Sequence, residues 1–280
     1  MKQKVSITIN SKMLRDVDSL VDNIFIRNRS QSIEYLIEKA LKETKTAVIL
    51  ADNKKSLKIL NNRYSLKVDH STIVEKAIKK LSDSGFRNIF IVADHKTLTN
   101  IFKIVGNGNG NGVKIEYIDE EVPEGSASAL KLLSGKIKTA FLVAQCDLVF
   151  EDVNLVELWQ RHLQEKNIVT LLVSSSITHP NNVLFCQLTL EGNRVISYLE
   201  KPLLKKLNSS IFFGGIFIAE PELLSYPGRS LELDIFPELA RKGILGGQVS
   251  SAEHLHVHTR EDLLRVRKQI KNGKKKIKNF

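Results

Sequence analysis

Residues 4–9, Lys4-Val5-Ser6-Ile7-Thr8-Ile9, alternate polar and apolar side chains with the period of two expected of a half-buried strand. Asn10-Ser11 then offers a helix cap. From Ser11 the period lengthens: Leu14, Val17, Val21 and Ile24, with Met13 and Leu20 alongside, make one apolar stripe at helical spacing. A turn is expected at Arg27-Asn28-Arg29, and Ser30 is the expected N-cap of a second helix whose buried face is Ile33, Leu36, Ile37, Ala40 and Leu41. One strand and two short helices cannot bury these stripes, so the pattern predicts that a second copy completes the core.

Thr44-Lys45-Thr46 leaves almost no linker before short apolar runs begin to alternate with amphipathic stretches. Ala47-Val48-Ile49-Leu50-Ala51 reads as the first buried strand of an α/β sheet. A helix over residues 72–84, strands over 88–93 and 113–118, a helix over 126–133 and a strand over 139–144 continue the alternation. The expected fold class is a layered α/β domain with a mixed, mainly parallel sheet. The run Gly106-Asn107-Gly108-Asn109-Gly110-Asn111-Gly112 leads into a strand rather than a helix, which makes it a connector and not a phosphate cradle.

Composition narrows the class. At 280 residues the chain holds one large or two unequal domains, and 42% hydrophobic with 26% charged residues excludes a disordered, collagen-like or disulfide-stapled chain. Cys146 and Cys186 sit in apolar runs without a CxxC partner, so neither a zinc framework nor a disulfide is expected, and a reducing, cytoplasmic setting follows. No signal-peptide core and no run of about 18 apolar residues occurs, which predicts a soluble protein. The net charge of +11 is concentrated: residues 263–280 carry eight Lys or Arg and no acid, whereas the first 46 residues hold nine bases against six acids. That tail reads as a solvated basic helix or tail.

The strand, helix and helix of residues 3–45, with their turn and the Arg-Ser start of the second helix, resemble the ribbon-helix-helix family of DNA-binding proteins. The resemblance implies an intertwined dimer whose paired strands enter the major groove of double-stranded DNA. Val5, Ile7 and Ile9 would point inward, leaving Lys4, Ser6 and Thr8 for base edges. It also implies a phosphate at the start of the second helix, at Arg29, Ser30, Gln31 and Ser32, where free backbone N–H groups and the helix dipole favour an anion.

A second resemblance covers roughly residues 46–262. Pro123-Glu124-Gly125-Ser126-Ala127-Ser128-Ala129-Leu130, the strand Phe141-Leu142-Val143-Ala144-Gln145-Cys146-Asp147, Glu200-Lys201-Pro202 and Gly214-Gly215-Ile216-Phe217 follow one another as the motifs of sugar-phosphate nucleotidyltransferases do. The likeness implies a nucleotide base and sugar near Gly125 and Ser126, magnesium at Asp147 and a sugar phosphate at Lys201. Three departures accompany it. The Gly-rich activation loop reads Ala51-Asp52-Asn53-Lys54-Lys55-Ser56-Leu57, the Pro-Lys element reads Asn62-Arg63-Tyr64, and the last metal-binding aspartate is replaced by His256. Glycine lets backbone amides approach phosphates, and Mg²⁺ prefers oxygen to imidazole, so these departures argue against ordinary catalysis.

His254, His256 and His258 would share one face of a strand, yet same-face neighbours lie nearly 7 Å apart along it. Three ligands to one ion then need a bend or a further partner such as Asp147, and the histidines are expected to be structural or solvent-facing. The sequence therefore supports this expectation: residues 1–45 form a ribbon-helix-helix, 46–262 a catalytically degenerate nucleotidyltransferase-like domain, and 263–280 a basic helix or tail. Together they would make a homodimeric transcriptional regulator, with a tetramer left open. It would need no cofactor, and its larger domain would sense a nucleotide-sugar or sugar-phosphate effector, with Mg²⁺ at Asp147 if any ion binds. The alternative is an active sugar-1-phosphate nucleotidyltransferase regulated through its DNA-binding arm.

Overall fold

The computed structural model describes residues 4–51, 60–174, 186–200, 211–252 and 255–277. The chain divides into two units, Met1–Thr44 and Lys45–Phe280.

In the first unit, residues 4–10 form no strand, although their alternation predicts one. A strand needs a neighbour for its N–H and C=O groups, and none is paired with this segment, whose Val5 and Ile7 are 74% and 58% exposed. Asn10 caps α1 (Ser11–Asp18), its side chain accepting from the Lys12 N–H at 2.8 Å. The apolar stripe does not stay helical to Ile24. Asp22 Oδ1 accepts from the N–H groups of Ile24, Phe25 and Ile26 at 2.8–2.9 Å and wraps the chain into a turn, with Asn23 at φ 60. Helix α2 (Arg29–Thr44) begins before the expected Ser30 cap. Asn28 caps it instead, accepting from Gln31 N–H at 3.0 Å through its side chain and from Ser32 N–H at 3.1 Å through its carbonyl.

The second unit is built on a nine-stranded sheet. Strands β1 (Thr46–Leu50), β2 (Asn88–Ala93), β3 (Lys114–Asp119) and β4 (Phe141–Gln145) are joined by the short β5 (Leu148–Val149), which leaves the sheet, and by β6 (Val169–Ser174), β7 (Gln187–Glu191), β8 (Arg194–Leu199), β9 (Ile211–Ala219) and β10 (Leu245–Val249). Their order is β3-β2-β1-β4-β9-β6-β10-β8-β7. The first four are parallel, and so are β6 and β10. Strand β9 runs antiparallel between β4 and β6, and β7 and β8 add further antiparallel pairs. The sheet is therefore mixed rather than mainly parallel: among the described residues four of its pairings are parallel and five antiparallel.

Helices cover both faces, which is why residues 47–50 of β1 and 89–93 of β2 are unbroken apolar runs. Helices α3 (Ile73–Asp83), α4 (His95–Val105) and α6 (Leu155–Gln164) pack Ile78, Leu81, Leu98, Ile101 and Leu158 against Ile49, Ile91 and Leu142 on one face. On the other, α5 (Ser126–Lys131) and α7 (Phe236–Arg241) bring Leu130, Phe236 and Leu239 against Val48, Val143 and Phe217. Helix α4 has no counterpart in the sequence reading, although Asp94 marks its start by accepting from Thr97 N–H at 3.0 Å. Helix α3 starts on a capping box: Thr72 N–H donates to Glu75 Oε2 at 2.7 Å and Glu75 N–H to Thr72 Oγ1 at 3.3 Å. Cys146 and Cys186 are buried and form no disulfide.

A third small core closes the unit. Strand β11 (Leu255–His256) pairs antiparallel with β5, and α8 (Arg260–Ile277) places Leu263 and Val266 against Val68, Ile73, Val149 and Val257. Residues 263–277 of the basic segment are therefore helical, with Leu263 and Val266 packed into this core. Among the described residues no helix is long and apolar enough to cross a membrane.

Candidate functional site

Strand β4 ends at Gln145, and the next peptide still extends the ladder, Cys146 N–H donating to Leu50 O at 3.0 Å. The chain then turns, so Asp147 stands beyond the carboxyl ends of the parallel strands, where open α/β sheets place ligands. The turn also aims β5 at β11. Leu148 pairs with His256, and Val257 N–H donates to Asp147 O at 2.9 Å. Because strand side chains alternate, His256 and His258 fall on the same side, facing the carboxylate. Their rings are 5.3 Å apart between centroids. The far end of this segment is fixed twice: Leu60 N–H donates to His258 O at 2.8 Å, and the buried Asp262 accepts from His258 N–H, Thr259 N–H and Thr259 Oγ1 at 2.9–3.1 Å.

Asp147 is 4% exposed. Arg63, on the single helical turn Arg63–Ser65, brings Nη1 to 2.9 Å from Asp147 Oδ2. His258 Nε2 lies 3.2 Å from the same oxygen, and His256 Nδ1 lies 3.6 Å from Oδ1. Burial alone would raise the Asp147 pKa, but the two imidazoles and the Arg63 guanidinium outweigh it and hold the carboxyl well below the usual carboxylate range. Gly215 on β9 completes the wall. It sits at φ +74, and a β-carbon there would come within 2.7 Å of His256 Cε1.

The other sequence-predicted ligand residues are placed differently. Gly125, at φ +139, backs onto Arg229: a β-carbon would lie 2.5 Å from Arg229 O. Ser126 Oγ donates to Glu232 Oε2 at 2.6 Å and accepts from Leu231 N–H at 2.9 Å, so its hydroxyl ties α5 to the 229–232 segment. Lys201, Lys54, Lys55 and His254 lie outside the described residues.

The residues expected to meet DNA are largely engaged within their own unit. Arg29 donates twice to Asp18, at 2.7 and 2.8 Å, and Gln31 Oε1 accepts from Arg27 N–H at 2.7 Å. Ser32 is buried, with Oγ donating to Val17 O at 2.7 Å. Ser30 lies inside α2 rather than at its cap, and Lys4, Ser6 and Thr8 belong to the 4–10 segment, which forms no strand and so presents no ribbon.

Two site residues escaped the sequence reading. Arg63 reads as a departure from a motif, and its ion pair with Asp147 spans a separation no local pattern reports. His258 was legible only as one of three alternating histidines. The signal for both is their position: a basic residue in place of the family's lysine, and a second imidazole two residues from the first.

Magnesium, which the family likeness implies at Asp147, asks for near-octahedral oxygen ligands. The described pocket offers one carboxylate, one of whose oxygens already binds a guanidinium, together with two imidazoles. That donor set does not fit Mg²⁺.

A family model described as nucleotidyl transferase matches residues 60–233. The chain is 32% identical over 145 residues to the bifunctional protein GlmU of Methanococcus maripaludis strain C5, covering 52% of this chain and 32% of that protein. It is 24% identical over 206 residues to mannose-1-phosphate guanylyltransferase of Mycobacterium tuberculosis, covering 70% and 55%. The chain thus spans a third to about half the length of these curated relatives. Among solved structures, a Bacillus anthracis protein provisionally described as a glucose-1-phosphate thymidylyltransferase, in complex with sucrose, superposes with a TM-score of 0.70 at 20% identity, over 80% of this chain and 94% of that one. HddC from Yersinia pseudotuberculosis, complexed with GMP-PN, gives 0.65 at 20% identity, over 81% and 99%.

These likenesses overturn the reading of the chain as a DNA-binding regulator with an inert larger domain. What it matches is a transferase, across the very segment that the sequence suggested had lost its chemistry. Of the three departures behind that inference, the 51–57 loop and His256 lie outside residues 60–233, and Asn62-Arg63-Tyr64 lies inside the matched segment.

Proposed function

The chain belongs to the nucleotidyl transferase family, and on that premise we propose that it transfers a nucleotidyl group from a nucleoside triphosphate to a sugar 1-phosphate. In that reaction an oxygen of the sugar phosphate forms a bond to the α-phosphorus while the α–β anhydride bond breaks and pyrophosphate leaves. The observation that carries the reading is the Arg63–Asp147 pair beyond the carboxyl end of β4. A planar guanidinium is suited to bidentate phosphate binding, and its pairing with a buried carboxylate holds it in one orientation before substrate arrives. Asp147 marks the reacting end of the pocket, and Lys201 is assigned to the sugar phosphate. Gly125 and Ser126 shape the nucleotide side, with Ser126 bracing α5 against Glu232.

Pyrophosphate release, followed over the common nucleoside triphosphates, a panel of sugar 1-phosphates and several divalent metals, tests this. Turnover that requires both substrates and disappears in Arg63→Met and Asp147→Asn supports it. No release with any combination, from protein that is folded by circular dichroism, overturns it.

For the amino-terminal unit we propose self-association with a second copy of the chain. Val17 is its one buried hydrophobic residue among those described, while Val5, Ile7, Met13, Ile24, Phe25 and Ile37 are all more than half exposed. So small a unit lacks the interior to hide them. Sedimentation of the full chain should show a dimer that Ile7→Asp and Phe25→Asp dissociate, and a monomer across micromolar concentrations would refute this.

A further inference from the structure

We propose that Asp147, His256 and His258 form a binding site for a borderline transition metal of the Zn²⁺ or Co²⁺ type. Each residue contributes one ligand atom, and these atoms all lie within 4.8 Å of one another. The observed nitrogen-to-oxygen spacings are 3.6 Å for His256 Nδ1 to Asp147 Oδ1 and 3.2 Å for His258 Nε2 to Asp147 Oδ2. Ligands about 2.1 Å from a tetrahedral ion stand roughly 3.4 Å apart, which the His256 Nδ1–Asp147 Oδ1 spacing nearly matches, while His258 Nε2, nearest Oδ2, turns toward Oδ1 to join the same ion.

A second observation points to the same place. Asp147 Oδ1 is buried and makes no hydrogen bond among the described residues. A buried carboxylate oxygen without a donor is costly, and an ion between it and the imidazoles would satisfy it. Arg63 does not compete for that oxygen, because its Nη1 is on Oδ2. A carboxylate that binds metal through one oxygen and a hydrogen-bond donor through the other is an ordinary supporting arrangement for a metal site.

The backbone prepares the site. The β5–β11 pairing fixes His256 opposite Leu148, and Asp262 and Leu60 hold the peptide at His258. Gly215 leaves room for the His256 ring, where any β-carbon would intrude. The His256 and His258 side chains are 12% and 21% exposed, so the pocket is open on one side and leaves a coordination position for solvent or an anionic oxygen. Two imidazoles and one carboxylate select such ions over Mg²⁺ by ligand chemistry. The inference stands on this donor set and not on the transfer reading, so its test reads binding directly.

Full-length protein stripped with a chelator is titrated with Zn²⁺, Co²⁺ and Mg²⁺ by calorimetry, and the Co²⁺ form is examined by visible absorption. The expected result is one equivalent of Zn²⁺ or Co²⁺ per chain, a d–d spectrum of low coordination number, and Mg²⁺ binding weaker by about 100-fold or more. His256→Ala and His258→Ala should each weaken Zn²⁺ by roughly 10- to 100-fold. His95→Ala, at an exposed histidine 2.9 Å from Asp119, should leave binding unchanged. Should either alanine variant unfold, His256→Asn and His258→Asn replace it. Equal affinity for Mg²⁺ and Zn²⁺, or unaltered Zn²⁺ binding in folded variants lacking both imidazoles, overturns the proposal.

Discussion

Gly215 meets the edge of the His256 ring so closely that a β-carbon at its φ of +74 would lie 2.7 Å from Cε1 and 3.0 Å from Nε2. The glycine is required twice, once by its backbone and once by its neighbour. Gly215→Ala should destabilise the protein by about 1–3 kcal/mol and turn His256 away from Asp147. Denaturant titration measures the first effect. A crystal structure of the variant with the ring unmoved would show that the wall is less rigid than argued.

The Arg63–Asp147 pair is almost enclosed, with side-chain exposures of 11% and 6%. Removing one partner strands the other's charge, so Asp147→Ala should cost about 3–5 kcal/mol. The double variant Arg63→Met/Asp147→Leu should recover much of that, because neither charge remains to be solvated. A denaturation double-mutant cycle decides it: additive losses would mean that the two side chains act independently.

Asp262 acts at a distance from the carboxylate it serves. Its Oδ2 gathers His258 N–H, Thr259 N–H and Thr259 Oγ1, and thereby both caps α8 and holds the backbone of His258. Asp262→Ala should lose about 1–2 kcal/mol as a missing cap, while Asp262→Asn, which keeps an acceptor oxygen, should lose less. Thermal unfolding of the two variants side by side gives the comparison, and equal midpoints would remove the capping role.

Acid should weaken the fold through His162. The imidazole is buried between α6 and β6, with Nδ1 2.9 Å from Thr170 Oγ1, and burial lowers its pKa from 6.5 to about 4. Glu220 Oε1 is 3.2 Å from Nε2, but burial and Glu222 raise the Glu220 carboxyl, so its attraction does not offset the desolvation of the ring. The unfolded chain therefore binds a proton that the folded one refuses between about pH 6.5 and 4. Stability is complete above that window and falls as pH drops through it, by on the order of 3 kcal/mol. His162→Gln should flatten the profile there, and an unchanged slope in that variant would assign the acid sensitivity elsewhere.

How much the chain reveals on its own depends on how local the cause is. The strands over 46–50, 88–93 and 141–145 and the helix that Thr72 caps follow from short apolar runs and one capping box, so periodicity finds them to within a residue or two. Motif order along the chain was enough to recognise the larger unit as nucleotidyltransferase-like and to single out Asp147. The first unit shows the limit of that approach: alternation at 4–9 and a stripe to Ile24 resemble a DNA-reading ribbon, yet residues 4–10 form no strand, the helix stops at Asp18 and Asp22 wraps the following residues into a turn.

Only the tertiary structure decided what surrounds Asp147. The antiparallel entry of β9 between β4 and β6 brings Gly215 to the site, and the pairing of β5 with β11 brings two histidines more than one hundred residues along the chain. Arg63 arrives from the other direction, eighty-four residues earlier. None of these separations leaves a periodic trace, because hydrogen bonding and packing between distant strands set them. Composition and pattern determined several of the larger unit's strands and the helix that Thr72 caps. The meeting of one carboxylate, one guanidinium and two imidazoles depends on how those elements cross.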